Sequence, residues 1–169
     1  MKTFDNPKLK EFYGLHKNPD WAAHVYLASG WFNDAEEEAR QDILSVLNEI
    51  QMNYFSPKDE VLIGPKATKE EQKAAFKADT ESIRDATFMI MSTVGKDIGT
   101  LFEGGMAYAW NIPTVIYFPA PKGTPCNLML AQSAYAVAQT KEELKSIIEK
   151  IIENKFDFSK TIEWNGDIE

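Results

Sequence analysis

Apolar residues in this chain follow two alternating patterns: short unbroken runs, and longer stretches where they recur every three or four positions. His24-Val25-Tyr26-Leu27-Ala28 is the first run, stopped by Ser29-Gly30. Asn33-Asp34-Ala35-Glu36 then has the cap-then-Glu signature of a helix start, and Ile43, Leu44, Leu47 and Ile50 follow at helical spacing. Asn53-Tyr54-Phe55-Ser56-Pro57 reads as a second strand ended by proline. Lys58 to Thr68, with Gly64-Pro65 inside it, predicts a loop longer than a minimal connection, of the kind that often covers a site. A polar helix is expected from Thr68 to Arg84, and a third strand over Thr87-Phe88-Met89-Ile90-Met91. The next helix opens at Thr100 and ends near Asn111-Ile112-Pro113, before a fourth strand from Thr114 to Phe118. A loop from Pro119 to Pro125 leads into Cys126-Asn127-Leu128-Met129-Leu130, Ala134 to Ala138 makes a short fifth strand, and Thr140-Lys141-Glu142-Glu143 caps a last helix through Ile152.

Strands alternating with helices, with central strands apolar throughout, are the pattern of a parallel sheet covered on both faces. Five strands predict a flavodoxin-like, doubly wound α/β domain over residues 23–155. Residues 1–22 read as an N-terminal extension of weak periodicity with room for one short helix from Pro7 to Tyr13. Residues 156–169 read as an irregular tail, which Trp164 tucks against the body or a neighbouring subunit. There is no internal repeat and no low-complexity segment. In a doubly wound sheet the loops after strands one, three and four meet at one crevice, where ligands bind.

The 169 residues suffice for one domain with a substantial core. Lys and Arg total 18 against 26 Asp and Glu, a net charge of −8 that repels phosphate backbones and argues against a nucleic acid polymer as partner. An uncharged nucleoside is not excluded. Cys126 is the single cysteine, so no internal disulfide can form, and a reducing, cytoplasmic compartment is the expectation. Met1 to Asp20 is polar and mixed in charge, unlike a signal segment, and no apolar run is long enough to span a bilayer. His16 and His24 are too isolated for a metal site or a catalytic triad, and no metal or organic cofactor is expected.

The most informative stretch is Lys96-Asp97-Ile98-Gly99-Thr100-Leu101-Phe102-Glu103-Gly104-Gly105-Met106-Ala107. It sets two carboxylates six positions apart across a loop-to-helix junction, with Asp97 on the loop and Glu103 in the first helical turn. Such a pair can combine nucleophilic attack with proton transfer on one small substrate. A bland reading stands beside it: Thr100-Leu101-Phe102-Glu103 matches a capping box, in which Glu merely ties down the helix start.

Here a family resemblance becomes specific. Tyr26-Leu27-Ala28-Ser29-Gly30-Trp31-Phe32-Asn33 resembles the opening strand and turn of the nucleoside 2-deoxyribosyltransferases. Asp97-x-Gly-Thr-x-x-Glu103-x-Gly-x-Ala107 is similar to that family's nucleophile segment, Pro125-Cys126-Asn127-Leu128-Met129 to its Asn-Leu-Met segment, and Asp79 lies where the family has an acid near a helix end. The resemblance spans roughly residues 24–139, in order and spacing. It implies transfer of 2-deoxyribose from a 2′-deoxynucleoside to a free purine or pyrimidine base, in nucleoside salvage, by a homo-oligomer (dimer or hexamer). It also implies Glu103 as nucleophile on C1′, with Asp97 and Asp79 contacting sugar or base and delivering the proton that the leaving base needs. Tyr26 would orient Glu103, Asn127 would hold the deoxyribose, often from a neighbouring subunit in this family, Trp31 and Phe32 would give the base an apolar wall, and Gly30 and Met129 would also bind substrate. One ionised and one protonated carboxyl group meet both demands of such a reaction, as in retaining glycosidases. The helix N-terminus is expected to keep Glu103 ionised.

Two departures from the family pattern are visible. Where the family often has a base-recognising Gln after strand two, this chain reads Lys58-Asp59-Glu60-Val61-Leu62. Its last residues, Trp164-Asn165-Gly166-Asp167-Ile168-Glu169, do not match the family's short aromatic tail, so no terminal residue is carried over. Structural readings also stay open for each residue. Asp79 taken alone reads as a solvated helix residue, Tyr26 as core filling, Asn127 as a helix cap, and Trp31 and Phe32 as packing for the first helix. Gly104 and Gly105 read as close helix–strand packing, Cys126 as a small buried apolar residue, and Glu36-Glu37-Glu38 as a solvated helix face. Two other functions fit the pattern: an N-glycoside hydrolase acting on deoxynucleosides or deoxynucleotides, and a non-catalytic nucleoside-binding sensor.

Overall fold

Side-chain alternation along five short strands sorts the core into two layers, one on each face of a parallel sheet. The computed structural model describes residues 24–169; the expected helix at Pro7 to Tyr13 and the rest of the extension lie outside the described residues. The strands are β1 (His24–Ala28), β2 (Asn53–Phe55), β3 (Phe88–Ser92), β4 (Thr114–Tyr117) and β5 (Ala136–Ala138). All neighbouring pairs are parallel, in the order β2-β1-β3-β4-β5. This is the flavodoxin-like order, with its switch point between β1 and β3. The helices are α1 (Asp34–Ile50), α2 (Pro57–Glu60), α3 (Lys69–Asp85), α4 (Ile98–Ala109), α5 (Leu128–Ser133) and α6 (Lys141–Glu153). The expected fold class holds.

On one face Val25, Leu27, Phe88, Ile90 and Val115 pack against Ile43 and Leu47 of α1 and Leu144 and Ile148 of α6. On the other, Tyr26, Ala28, Met89, Met91 and Ile116 meet Ile83 of α3 and Ala107 of α4. Every residue of β3 and β4 is buried, which is why those strands read as unbroken apolar runs. Gly104 lets α4 approach the sheet, since a Cβ there would run into the Met91 sulfur; Gly105, whose Cβ position faces open space, has no such role.

Two boundaries differ from expectation for reasons of capping. The 58–68 stretch is not loop throughout, because Ser56-Pro57 starts the short α2. The fourth helix opens at Ile98 rather than Thr100, because Asp97 accepts from the Thr100 N–H (2.7 Å) and hydroxyl (2.9 Å). The tail is irregular, as expected, but well docked. Phe158 meets Phe88 and Tyr135, the Ile162 N–H donates to Tyr135 O (2.8 Å), and Ile168 bridges to the buried Cys126. The Trp164 indole N–H donates to Asp167 O within the tail.

Candidate active site

Tyr26, Asp79 and Glu103 come from three elements, β1, α3 and α4, all packed on the same face of the sheet at its switch point. Tyr26 is fully buried, its ring stacked on Phe55 at 5.7 Å between centroids. From there its hydroxyl donates to Glu103 Oε1 at 2.8 Å. Burial, followed by the charges of Glu103 and Asp79, pushes the Tyr26 phenol far above its ordinary range. It is therefore a fixed donor and never the base.

Glu103 lies in the second turn of α4, so the Thr100–Glu103 capping box does not form; Asp97 caps that helix instead. The expectation that the helix terminus holds Glu103 ionised is also overturned. Burial outweighs the hydrogen bond from Tyr26, and with the charges of Asp79 and Asp97 it pushes Glu103 up to about 7. Asp79 is pushed up to about 6 by burial, and its Oδ1 is buried without a hydrogen-bond partner among the described residues. Reading Asp79 as a solvated helix residue fails on that burial. The three acids lie close enough for the charges of Asp79 and Asp97 to raise Glu103. Glu103 and Asp79 are both pushed toward neutrality, where one can be ionised while the other holds a proton.

The loop after β1 forms one rim. Phe32 is 70% exposed, so it does not pack the first helix; its ring lies 5.1 Å from that of half-buried Trp31. Gly30 is buried, and a Cβ there would sit 2.6 Å from Glu36 Oε2 and 3.2 Å from Asp97 Cβ. Gly30 therefore serves close packing of two loops. Asn127 caps α5, accepting from Met129 N (3.1 Å) and Leu130 N (3.4 Å), and Met129 is 74% exposed. Within one chain neither bonds to the acid cluster among the described residues, and the cap reading of Asn127 holds. Cavities of about 450 Å³ under residues 62–67 and about 590 Å³ between α6 and the tail lie elsewhere and include none of these acids.

Three features went unseen in the sequence. The Glu36-Glu37-Glu38 run is not one solvated face. Glu36 is buried and Glu37 is held by Lys58 (2.9 Å) and Arg40 (3.2 Å), leaving only Glu38 exposed. Arg40 is buried and pairs with Asp59 and with Ser56 Oγ (3.1 Å), pinning α2 to α1. The i,i+3 pair of Glu37 and Arg40 was the available signal for this anchor. Phe55, the platform under Tyr26, carried none. Among the described residues no cluster of His, Cys, Asp and Glu is arranged to hold a metal ion.

The fold is thus of the doubly wound α/β class in flavodoxin order, with half-buried carboxyl groups gathered at its switch point. The chain belongs to the nucleoside 2-deoxyribosyltransferase family, which it matches over residues 25–154. A solved 2-deoxyribosyltransferase from the psychrotolerant bacterium Bacillus psychrosaccharolyticus is similar at 27% identity and a TM-score of 0.64, covering 73% of this chain and 90% of that one. Two further structures share the fold at 19% identity. One is a conserved protein from Enterococcus faecalis V583, with TM-score 0.64 and coverage of 76% and 98%. The other is the Clostridium botulinum CMP N-glycosidase BcmB, with TM-score 0.51 and coverage of 75% and 98%. No curated protein matches the sequence. Family membership makes this an enzyme of N-glycosidic bonds. No helix among the described residues is long and apolar enough to cross a membrane.

Proposed function

We propose that this enzyme transfers 2-deoxyribose between nucleobases through a covalent ester on Glu103. The observation that carries the reading is the 2.8 Å hydrogen bond from the buried Tyr26 hydroxyl to Glu103 Oε1, beside Asp79, which like Glu103 is pushed toward neutrality. That bond stabilises the carboxylate and leaves Oε2 for attack. In the first displacement a Glu103 oxygen bonds to C1′ as the C1′–N bond breaks. The bonding pair goes to the departing base, which takes a proton from Asp79 or Asp97. In the second, a ring nitrogen of the incoming base bonds to C1′, the ester bond breaks, and the base returns a proton to the aspartate. Two inversions retain the β configuration and give ping-pong kinetics. No step in this scheme draws on a metal or organic cofactor.

Trp31 and Phe32 form the apolar rim against which the base rests; purine and pyrimidine bases both present such a face. The working form is a homo-oligomer. On α4, Ile98 is 84% exposed, and Leu101, Phe102 and Tyr108 share its solvent side, with Leu128 and Met129 exposed at the start of α5. Large exposed apolar side chains of that kind mark a contact with another copy. A neighbouring Asn127, whose amide nitrogen the α5 cap does not use, then completes the sugar site from across that contact. The single cysteine and the net charge of −8 fit an intracellular enzyme of uncharged deoxynucleosides.

Deoxyinosine and adenine, incubated with the enzyme and separated by chromatography, test this reading. Deoxyadenosine is the expected product, and Glu103→Ala abolishes its formation while keeping the fold. Hypoxanthine with free deoxyribose, and no deoxyadenosine, would replace transfer by hydrolysis. Binding of deoxynucleoside without turnover would make the protein a sensor.

A further inference from the structure

Glu36 has no part in the chemistry above, yet its placement is unusual. It is 5% exposed, and among the described residues no lysine or arginine pairs with it. A buried carboxylate without a cation is costly, so its retention calls for a physical account. As the third residue of α1 it is positioned for a capping box, in which it would accept from the N–H of the cap residue Asn33. Instead Oε2 accepts from the Phe32 N–H at 2.8 Å, one residue further back. The Asn33 side chain meanwhile caps the Glu36 N–H at 3.0 Å.

The reach places the carboxylate between two loops. On one side is Gly30, where even a methyl group would press on Oε2 at 2.6 Å. On the other is Gly95, held at a φ of +76°, where a Cβ would collide with Oε1. Gly95 belongs to the short turn Val94–Lys96 that delivers Asp97 to the cap of α4. Both neighbours are glycines because the carboxylate occupies the room that side chains would take.

Resting on the transferase reading, we propose that Glu36 is a positioning residue. It locks the loop bearing Trp31 and Phe32 against the turn that carries Asp97, and so sets the gap in which the base is held and protonated. Displacements of about an ångström in such a gap cost roughly a hundredfold in rate, even when the altered side chain never touches substrate.

The test measures kcat and KM for deoxyinosine–adenine exchange, at a temperature where circular dichroism shows each variant folded. Glu36→Ala is expected to lower kcat by about 30- to 100-fold and to raise KM for the base. Glu36→Gln keeps an acceptor for the Phe32 N–H and is expected to stay within about threefold of wild type. Gly30→Ala, which pushes the carboxylate aside, lowers kcat by about tenfold, and the double variant Gly30→Ala/Glu36→Ala loses clearly less than the product of the two single losses, because the methyl then presses only on Asp97 Cβ at 3.2 Å. A residue that merely stabilises α1 would leave kcat of the folded variants unchanged. That result, or losses from Gly30→Ala and Glu36→Ala that multiply, overturns the inference; should Glu36→Ala not fold, an unchanged kcat in Gly30→Ala does so alone. An inactive wild type would instead overturn the transferase reading, and the inference with it.

Discussion

Replacing Tyr26 by Phe removes one hydroxyl and keeps the ring that stacks on Phe55. The lost bond is the one influence that lowers the Glu103 pKa; burial, Asp79 and Asp97 all raise it. A hydrogen bond to a charged group is worth about 1.5–3 kcal/mol, and the lower end applies to a half-buried carboxylate, so Glu103 should rise by about one unit. Starting from about 7, the variant then ionises near 8. The proton on the aspartates is a common factor, so the ratio of wild-type to variant kcat/KM follows Glu103 alone. At pH 7 about half of wild-type Glu103 is ionised against about one part in eleven in the variant, a fivefold loss. Below pH 6 the loss grows to about tenfold, and above pH 9 it vanishes. Base exchange measured from pH 5 to 9.5 tests this directly. A loss of the same size at every pH would refute the role given to the hydroxyl, and so would a loss that grows toward alkaline pH.

Further outcomes follow from the same geometry. Glu103 binds a proton more tightly folded than unfolded, so its burial costs nothing below about 4.5, and the cost appears as pH rises through about 7. Glu103→Gln should therefore match wild type in urea unfolding at pH 4 and exceed it at pH 8 by on the order of 2 kcal/mol, a figure already reduced for partial exposure. Asp97→Asn keeps an acceptor for the Thr100 N–H and should leave stability nearly unchanged while slowing exchange at least tenfold; Asp97→Ala should lose about 1 kcal/mol as well. Arg40→Ala should cost about 2–3 kcal/mol in the same assay, less than a fully buried pair, because the stranded Asp59 is half exposed and can take up water. An unchanged unfolding midpoint in Arg40→Ala would remove it as the anchor of α2.

Strand runs such as Phe88–Ser92 were legible because a strand buried on both faces leaves no polar position to confuse the period. Caps were nearly as readable: Asn33 and Thr140 both bond where their residue types suggest. The acids at 97 and 103 were found from their spacing, but their environment was not. Asp97 took the cap that Thr100 was expected to supply, which moved Glu103 from the first helical turn to the second and away from the terminal dipole. Its proton affinity is then set by depth and by neighbours from β1 and α3, and local sequence carries neither. Glu36 was misread for the same reason: within Glu36-Glu37-Glu38, only packing against Gly30 and Gly95 distinguishes the first acid from the third. A tail tucked against the body was expected, but the residues that dock it were not, because contacts such as Phe158 with Phe88 join distant parts of the chain.

The claim that a deoxyribosyl ester forms on Glu103 is tested most directly by trapping. Enzyme mixed with a 2′-deoxynucleoside in the absence of acceptor base, quenched in acid and digested, should yield one peptide heavier by a 2-deoxyribosyl group. The account predicts that fragmentation places this group on Glu103, and that Glu103→Gln shows no adduct. Exchange that proceeds with no adduct, or with the sugar on another side chain, would contradict it.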